Sequence, residues 1–343
     1  MSTVPAGSGG KKRRLCVFLL QMGGPDTIAD IEPFLRTLLA DVLPVPRLVR
    51  SVVAGVIAHR RTARVVPIYQ ALGGGSPLRR NTEAQARALE AHLIERGFEA
   101  RVLVAMRYAP PRIAEVLAEA RRDWSDATWV ALPLYPQYSF STSKTSLDEL
   151  GAALTTAEQT RLVTIAGYPI DDGYLAAQVE CVREGLLRFS AEERAEMQIV
   201  FSAHGLPLST VRQGDPYPTH VQQTVAGVVA RLGSPPPHHL SYQSRLGPVR
   251  WLEPSTTDMV SRLAAAGVTK LLVVPVSFVS DHIETLHELD VQLQRLALAH
   301  GITHFERAPV PGVRPSFIDA LTGIVVRALP RDSVPGVPVT ITA

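Results

Sequence analysis

Between Lys270 and Asp290 the chain reads KLLVVPVSFVSDHIETLHELD, an apolar run that stops at Ser280 or Asp281 and gives way to a helix-like segment rich in side chains able to bind metal or protons. From Asp281, the residues Glu284, His287 and Glu288 fall three, six and seven positions later. On a helix that spacing puts Asp281, Glu284 and Glu288 on one face. Three carboxylates at the carboxyl end of a strand stand where open α/β sheets hold their ligands. Asp281 with Glu284 also fits a helix N-cap and capping box, and Glu284 to Glu288 fits a solvated face. His282 and His287 then have no role. A further imidazole, His204, lies in FSAHGLP between a strand and a Gly-Leu-Pro turn, which would present the ring at the edge of a sheet. Alone, it reads as a core histidine bonded to backbone. Paired with Glu284 it supplies one imidazole and one carboxylate, ligands acceptable to divalent iron, and a base of suitable pKa.

The elements that must position these groups are short apolar strands alternating with longer helical patterns, the signature of parallel βαβ units. Strands are expected at Leu15–Met22, Arg101–Arg107, Thr128–Tyr135, Arg161–Ala166, Gln198–Ala203, Leu240–Gln243 and Leu271–Phe278. Asn81 to Gly97 reads as a helix closed by glycine, and Pro111 to Trp124 as one that opens with proline in its first turn. A boundary near Gly167 to Gly173 divides a flexible tail (1–14) and a first Rossmann-like domain (15–166) from a second (167–343). The segments ALPLYPQYSFSTS and VVPVSFVSDH, one in each half, suggest duplication. QMGGPD, MRYAPP, LYPQYSFSTSKTS, FSAHGLP and SDHIETLHE each follow an expected strand, so strand ends from both halves would face one cleft.

Composition narrows the functional classes. The 343 residues are 46% hydrophobic and 20% charged, with a formal charge of +3. That is ordinary for a globular protein, and the basic residues are dispersed apart from Lys11 to Arg14, which argues against nucleic acid as a partner. KKRR followed by LCVFLL mimics a signal peptide, but the apolar part is too short and no small-residue cleavage site follows. No uncharged stretch approaches the 18 or so residues of a spanning helix. Cys16 and Cys181 are too few for a disulfide framework or a four-thiolate cluster, and a reducing cytoplasm is expected. Gly73–Gly75 with Ser76 lacks a GxGxxG or P-loop context and reads as a tight turn. His238 and His239 follow three prolines and are read as an exposed connection. Val42 to Val65, apolar with Arg47, Arg50, Arg60, Arg61 and Arg64 interspersed, reads either as an amphipathic lip touching a membrane or greasy substrate, or as a surface helix packed on its own domain.

Taken in order, LLQMGGPD, GGGSPL, MRYAPP, LPLYPQYSFSTS, FSAHGLP, YQSRLGPVRWLEPST and SFVSDHIETLHELD resemble the ferrochelatase family over most of the chain. The resemblance implies two Rossmann-like domains, each a parallel sheet flanked by helices, enclosing a porphyrin cleft. It implies a lyase that inserts ferrous iron, a substrate, into protoporphyrin IX to make protohaem, the terminal step of haem biosynthesis. His204 and Glu284 match the family's metal-site pair, and Asp281, His282 and Glu288 the acidic path beside it. Arg107 and Tyr108 match porphyrin contacts, and Met22, Tyr135, Ser141, Trp251 and Phe278 the lining of the macrocycle pocket. Apolar lining would favour a distorted ring, Arg107 would meet a propionate, and His204 as neutral imidazole would take a pyrrole proton while the carboxylates relay protons outward or iron inward.

Some relatives in that family carry a two-iron cluster. The internal cysteine of that cluster is Phe140 here, and the chain ends at Ala343 without the C-terminal cysteine group, so no iron–sulfur cluster is expected. The MRY form and the apolar 42–57 region resemble family members that use protoporphyrin. Coproporphyrin is the alternative, for which Arg79, Arg80 and Arg112 would supply extra cations. A chelatase for another divalent metal and a non-enzymatic haem carrier are further alternatives. A metal-dependent hydrolase lacks its HExxH or nucleophile elbow. Peripheral contact with the inner membrane through 42–65 is expected.

Overall fold

The computed structural model describes residues 12–330 apart from 44, 246 and 248. The tail expected over 1–14 therefore lies, through residue 11, outside the described residues. Among the described residues eight strands form two four-stranded parallel sheets. The first holds β1 (Arg14–Gln21), β2 (Glu99–Met106), β3 (Thr128–Pro133) and β4 (Leu162–Thr164) in the order β2-β1-β3-β4. The second holds β5 (Gln198–His204), β6 (His238–Gln243), β7 (Lys270–Pro275) and β8 (His304–Arg307) in the order β6-β5-β7-β8. The two orders are the same, so the duplication suggested by the proline-interrupted strands is present in the topology.

Alternation explains why β1 and β7 are apolar along most of their length. In β1 the side chains of Leu15, Val17 and Leu19 enter one core, while Cys16, Phe18 and Leu20 enter another on the opposite face. In β7 Leu272 and Val274 belong to the first of these cores, and Leu271 and Val273 to a third. A sheet covered by helices on both faces admits no polar side, and each fully buried Leu, Val or Phe contributes about 1.5–3 kcal/mol of transfer free energy.

Both orders reverse direction between the first and third strands, at β1/β3 and at β5/β7. Ligands bind outside the carboxyl ends of strands at such switch points, because the connecting helices diverge there and leave a crevice. Met22 directly follows β1 and Tyr135 lies just past β3. His204 ends β5, and Phe278 to Glu284 follow β7.

Side-chain amides and carboxylates tie the halves together. Gln85, in the helix Leu78–Glu95, donates to the carbonyls of Val279 (3.0 Å) and Gly312 (2.9 Å) and accepts from Ser280 Oγ (3.0 Å). Asn81 of the same helix donates to the carbonyl of Asp281 at 3.1 Å. Gln137, beyond β3, donates to Thr224 Oγ1 (3.0 Å) and the Val276 carbonyl (3.3 Å). Asp215 accepts from Ser139 Oγ and Phe140 N, each at 2.8 Å. Most of these groups are buried, so an orphaned partner would cost about 1–3 kcal/mol.

The structure departs from the sequence expectations at several points. β8 was not expected, because its sequence HFER carries too few apolar residues to read as a strand. The helix expected from Pro111 runs Ile113–Asp123, with Arg112 extended at its N-cap, so Pro111 lies before the first turn. His238 and His239 open β6 instead of lying in a connection. The segment after β7 becomes helical only at Ile283, and Glu284–Leu293 is wound as a π-helix, a rare form often found at functional sites. A shorter π-helix, Phe140–Lys144, follows β3 at the matching place in the first half. The stretch 42–65 lies mostly in the helix Arg47–Ala71, where Ala54, Ala58 and Tyr69 are buried while Leu48 and Val52 are 94% and 67% exposed.

Candidate active site

His204 Nδ1 lies 2.7 Å from Glu284 Oε2, joining the end of β5 to the first residue of the π-helix. Three backbone-level contacts hold the histidine. Its N–H donates to Ser277 Oγ (2.8 Å), its carbonyl accepts from the Tyr217 hydroxyl (2.9 Å), and the next residue's N–H donates to the Gln243 carbonyl (2.8 Å). Gly205 is required there, since a Cβ would stand 2.7 Å from the Gln243 carbonyl oxygen and 3.4 Å from the Trp251 ring. The HGLP turn therefore places Trp251 beside the histidine segment.

Opposing effects set the charges. Burial by itself would lower the pKa of His204, but the charge and hydrogen bond of Glu284, with the charge of Glu288, raise it. Burial would raise Glu284, yet His204 and then His282 and Ser244 hold its carboxyl down to about 2. Both shifts favour the imidazolium–carboxylate form of the pair. Glu288 goes the other way, pushed up by burial and by the charge of Glu284 against the bonds it receives from Ser244. Two carboxylates one helical turn apart thus have pKa values driven in opposite directions, the pattern that separates a fixed charge from a proton carrier.

Ser244 links them. Its N–H donates to Glu288 Oε1 (2.7 Å) and its hydroxyl to Glu288 Oε2 (2.6 Å), with Glu284 Oε2 at 3.4 Å from the same hydroxyl. Ser244 is the sole non-glycine with positive φ (64°) among the described residues. Such a conformation costs about 1–2 kcal/mol, and here it aims both donors at one carboxylate.

His282 and Phe278 complete the cluster. The Phe278 ring stands edge-on to His282 at 4.8 Å and to His204 at 6.3 Å between centroids. Burial lowers the pKa of His282 more than Glu284 and Asp281 raise it, so the ring is neutral. Its Nδ1 is buried with no hydrogen-bond partner among the described residues. Tyr69, from the long helix of the first half, lies close enough for the charge of Glu284 to reinforce the effect of burial in raising its pKa. No group of three or more His, Cys, Asp or Glu among the described residues forms a metal cage. His204 and Glu284 are two donors, an open arrangement from which a metal could pass onward.

Other expected residues stand differently from their sequence reading. Asp281 does not share a face with Glu284 and Glu288, because it precedes the helix. It pairs with Arg307 (3.1 Å) and accepts from Thr285 Oγ1 (2.8 Å). Arg107 is not a free cation: it pairs with Asp41 (2.9 Å) and Glu149 (3.3 Å), and its Nε donates to the Tyr108 hydroxyl, which in turn donates to Asp41. Tyr135 is half-buried near Tyr108 and the charge of Arg107, whereas Ser141 is exposed in the short π-helix. Met22, half-buried, is fixed through its backbone to Gln21 Oε1 and Tyr108 N. Sequence reasoning passed over Ser244, Tyr69, Gln85 and Arg307. Ser244 could have been found as the polar residue directly after an expected strand.

Comparison with known proteins places this geometry. The ferrochelatase family model matches residues 14–329. A ferrochelatase of Geotalea uraniireducens is 44% identical over 319 residues, 91% of this chain and 97% of that relative. A ferrochelatase of Nostoc sp. is 42% identical over 327 residues, 93% of this chain and 84% of the relative. Among solved structures, SirB from Bacillus subtilis with Fe3+ matches at a TM-score of 0.55 and 12% identity, covering 94% of this chain and 96% of SirB, which is a likeness of fold. Matching of the family model over nearly the whole described chain, together with these identities, shows that the chain belongs to the ferrochelatase family.

Proposed function

We propose that this chain acts as a lyase on protoporphyrin, receiving ferrous iron at His204 and Glu284 and passing it into the macrocycle between two domains, 15–166 and 167–343. The observation that carries the site is the 2.7 Å His204–Glu284 pair at the β5/β7 switch point. Free porphyrin holds two pyrrole protons, and both leave as one doubly charged iron enters. His282 is the neutral imidazole in the resting site and accepts the first proton. His204, whose pKa Glu284 and Glu288 raise against the effect of burial, accepts the second after release of the proton it shares with Glu284. Ferrous iron approaching Glu284 competes with the imidazolium for the carboxylate and favours that release. Glu288, with its raised pKa and its bonds to Ser244, is the acceptor that carries protons away. Phe278, Trp251 and Met22 supply apolar surface against which the ring is bent, with binding energy offsetting the strain.

Arg107 meets a propionate by exchanging Asp41 for it. Anaerobic ferrous iron insertion with both porphyrins, in the native chain and in His204→Ala and Glu284→Ala, tests the proposal. Turnover of protoporphyrin abolished by both substitutions with the fold intact is expected; turnover surviving both refutes the site, and faster turnover of coproporphyrin refutes the substrate assignment.

The exposed Val42, Leu48, Val49, Val52 and Val56, near Arg50, Arg60, Arg61 and Arg64, further suit peripheral contact with an anionic membrane. No described helix is long and apolar enough to cross one. Co-sedimentation with anionic vesicles, lost in Leu48→Asp/Val52→Asp, is expected, and equal sedimentation of both proteins rejects the contact.

A further inference from the structure

The guanidinium of Arg307 is only 11% exposed and binds two carboxylates that lie nine residues apart. Nε and Nη2 form a fork on Asp290 at 2.5 and 2.9 Å, while Nη1 reaches Asp281 Oδ1 at 3.1 Å. Asp281 lies two residues before the first helical residue, Ile283, and Asp290 lies within the π-helix Glu284–Leu293. Arg307 itself ends β8, paired with Val273 of β7, so the cation is mounted on the sheet rather than on a loop. Thr285 adds a local tie, donating to Asp281 Oδ1 and accepting from the His282 N–H.

We infer that Arg307 is a positioning residue for metal insertion, a clamp on Asp281 and Asp290 that sets the register of the π-helix and thereby holds Glu284 and Glu288 against His204 and Ser244. The inference rests on the His204–Glu284 site proposed above. Its geometric basis is the pitch. An α-helix turns 100° per residue. A π-helix, closing i to i+5 bonds, turns about 82°. Rewinding from π to α over the six residues from Glu284 to Asp290 would swing Asp290 by about 110° around the axis and off the guanidinium. The same rewinding would swing Glu288 by about 70° relative to Glu284, away from Ser244. Both contacts therefore report one register, and the clamp outside the pocket stabilises the arrangement inside it. Bidentate and bridging contacts at once require the planar fork of arginine, and lysine can supply only one of them.

The test compares Arg307→Gln, Arg307→Lys and Asp290→Asn with the native chain. Anaerobic iron insertion gives kcat and KM for porphyrin, and hydrogen exchange follows the amides of 284–293. The expected result for Arg307→Gln is a fall in kcat of about tenfold or more, as for second-sphere partners of metal sites. KM for porphyrin stays within about twofold, since the apolar pocket is untouched. Amide protection falls over 284–293 but not over β5 and β7, and Arg307→Lys recovers part of both. Unchanged kcat and protection in Arg307→Gln, or a loss of activity that only tracks the folded fraction, overturns the clamp. Should Arg307→Gln fail to fold, Asp290→Asn decides by the same readouts, because it keeps Arg307 paired with Asp281. Activity that survives in His204→Ala refutes the site itself, whereas full activity of the Arg307 and Asp290 variants with a dead His204→Ala refutes the clamp alone.

Discussion

Replacing Glu284 by Gln removes the charge that raises the His204 pKa while preserving shape. The Glu284 side chain is 23% exposed, and its carboxyl is held down from 4.5 to about 2. At about 1.4 kcal/mol per pKa unit, that corresponds to about 3 kcal/mol in favour of the folded state. This figure is an upper bound for the pair, because His204 is 37% exposed and solvent screens its side of the interaction. The sign follows from both partners. A depressed carboxylate adds stability above its unfolded value of 4.5 and loses it as pH falls toward 2. A raised imidazole adds stability below its unfolded value of 6.5 and loses it as pH rises through its folded value. The contribution is therefore greatest between pH 4.5 and 6.5 and declines on both sides. Urea unfolding should show Glu284→Gln less stable than the native chain by about 1–3 kcal/mol near pH 6, and by less near pH 9. With the charge gone, burial dominates, and the His204 ring resonances should titrate below the usual histidine range instead of above it. An identical His204 titration in the two proteins, or a stability difference independent of pH, would refute the reasoning.

Ser244→Ala should raise the Glu288 pKa further and lower kcat by about tenfold, since the hydroxyl that donates to that carboxylate is lost; pH–rate profiles of the two proteins check it. Ser244→Gly should be more stable than Ser244→Ala by about 1 kcal/mol, because only glycine adopts φ of 64° without cost, as paired denaturant melts will show. Gly205→Ala should destabilise by about 1–3 kcal/mol and weaken porphyrin affinity, read by fluorescence quenching, since its Cβ would push on the Gln243 carbonyl and the Trp251 ring. Gln85→Ala should lower the thermal midpoint and kcat together, because it leaves the Gly312 carbonyl without its donor, takes one of two donors from the Val279 carbonyl and removes the acceptor of Ser280 Oγ ahead of the π-helix.

Much of the architecture is legible in the chain because strands buried on both faces must be continuous apolar runs. LCVFLL and LLVVP are unmistakable for that reason, and seven of the eight strands follow from such runs. β8 does not, since HFER lies at the edge of its sheet with only Phe305 in a core. Its omission hid Arg307, and with it the true partner of Asp281. The helical face drawn through Asp281, Glu284 and Glu288 assumed α periodicity. The π-winding keeps Glu284 and Glu288 one turn apart but leaves Asp281 outside, and no pattern of residue types announces that winding. Arg107 read as a waiting cation because Asp41 and Glu149, 66 and 42 residues away in the chain (107 − 41 and 149 − 107), meet it only after folding.

By itself the sequence determined the parallel α/β class, the placing of polar motifs at strand ends, and the residue types able to handle iron and protons, because burial periodicity and functional-group chemistry are local properties. Tertiary structure alone decided which of those groups meet. It set His204 against Glu284 across 80 residues, turned Ser244 to bridge two carboxylates, and lowered the pKa of His282 while raising that of His204. Protonation depends on distance, burial and the sum of neighbouring charges, and these exist only once the two sheets are packed together.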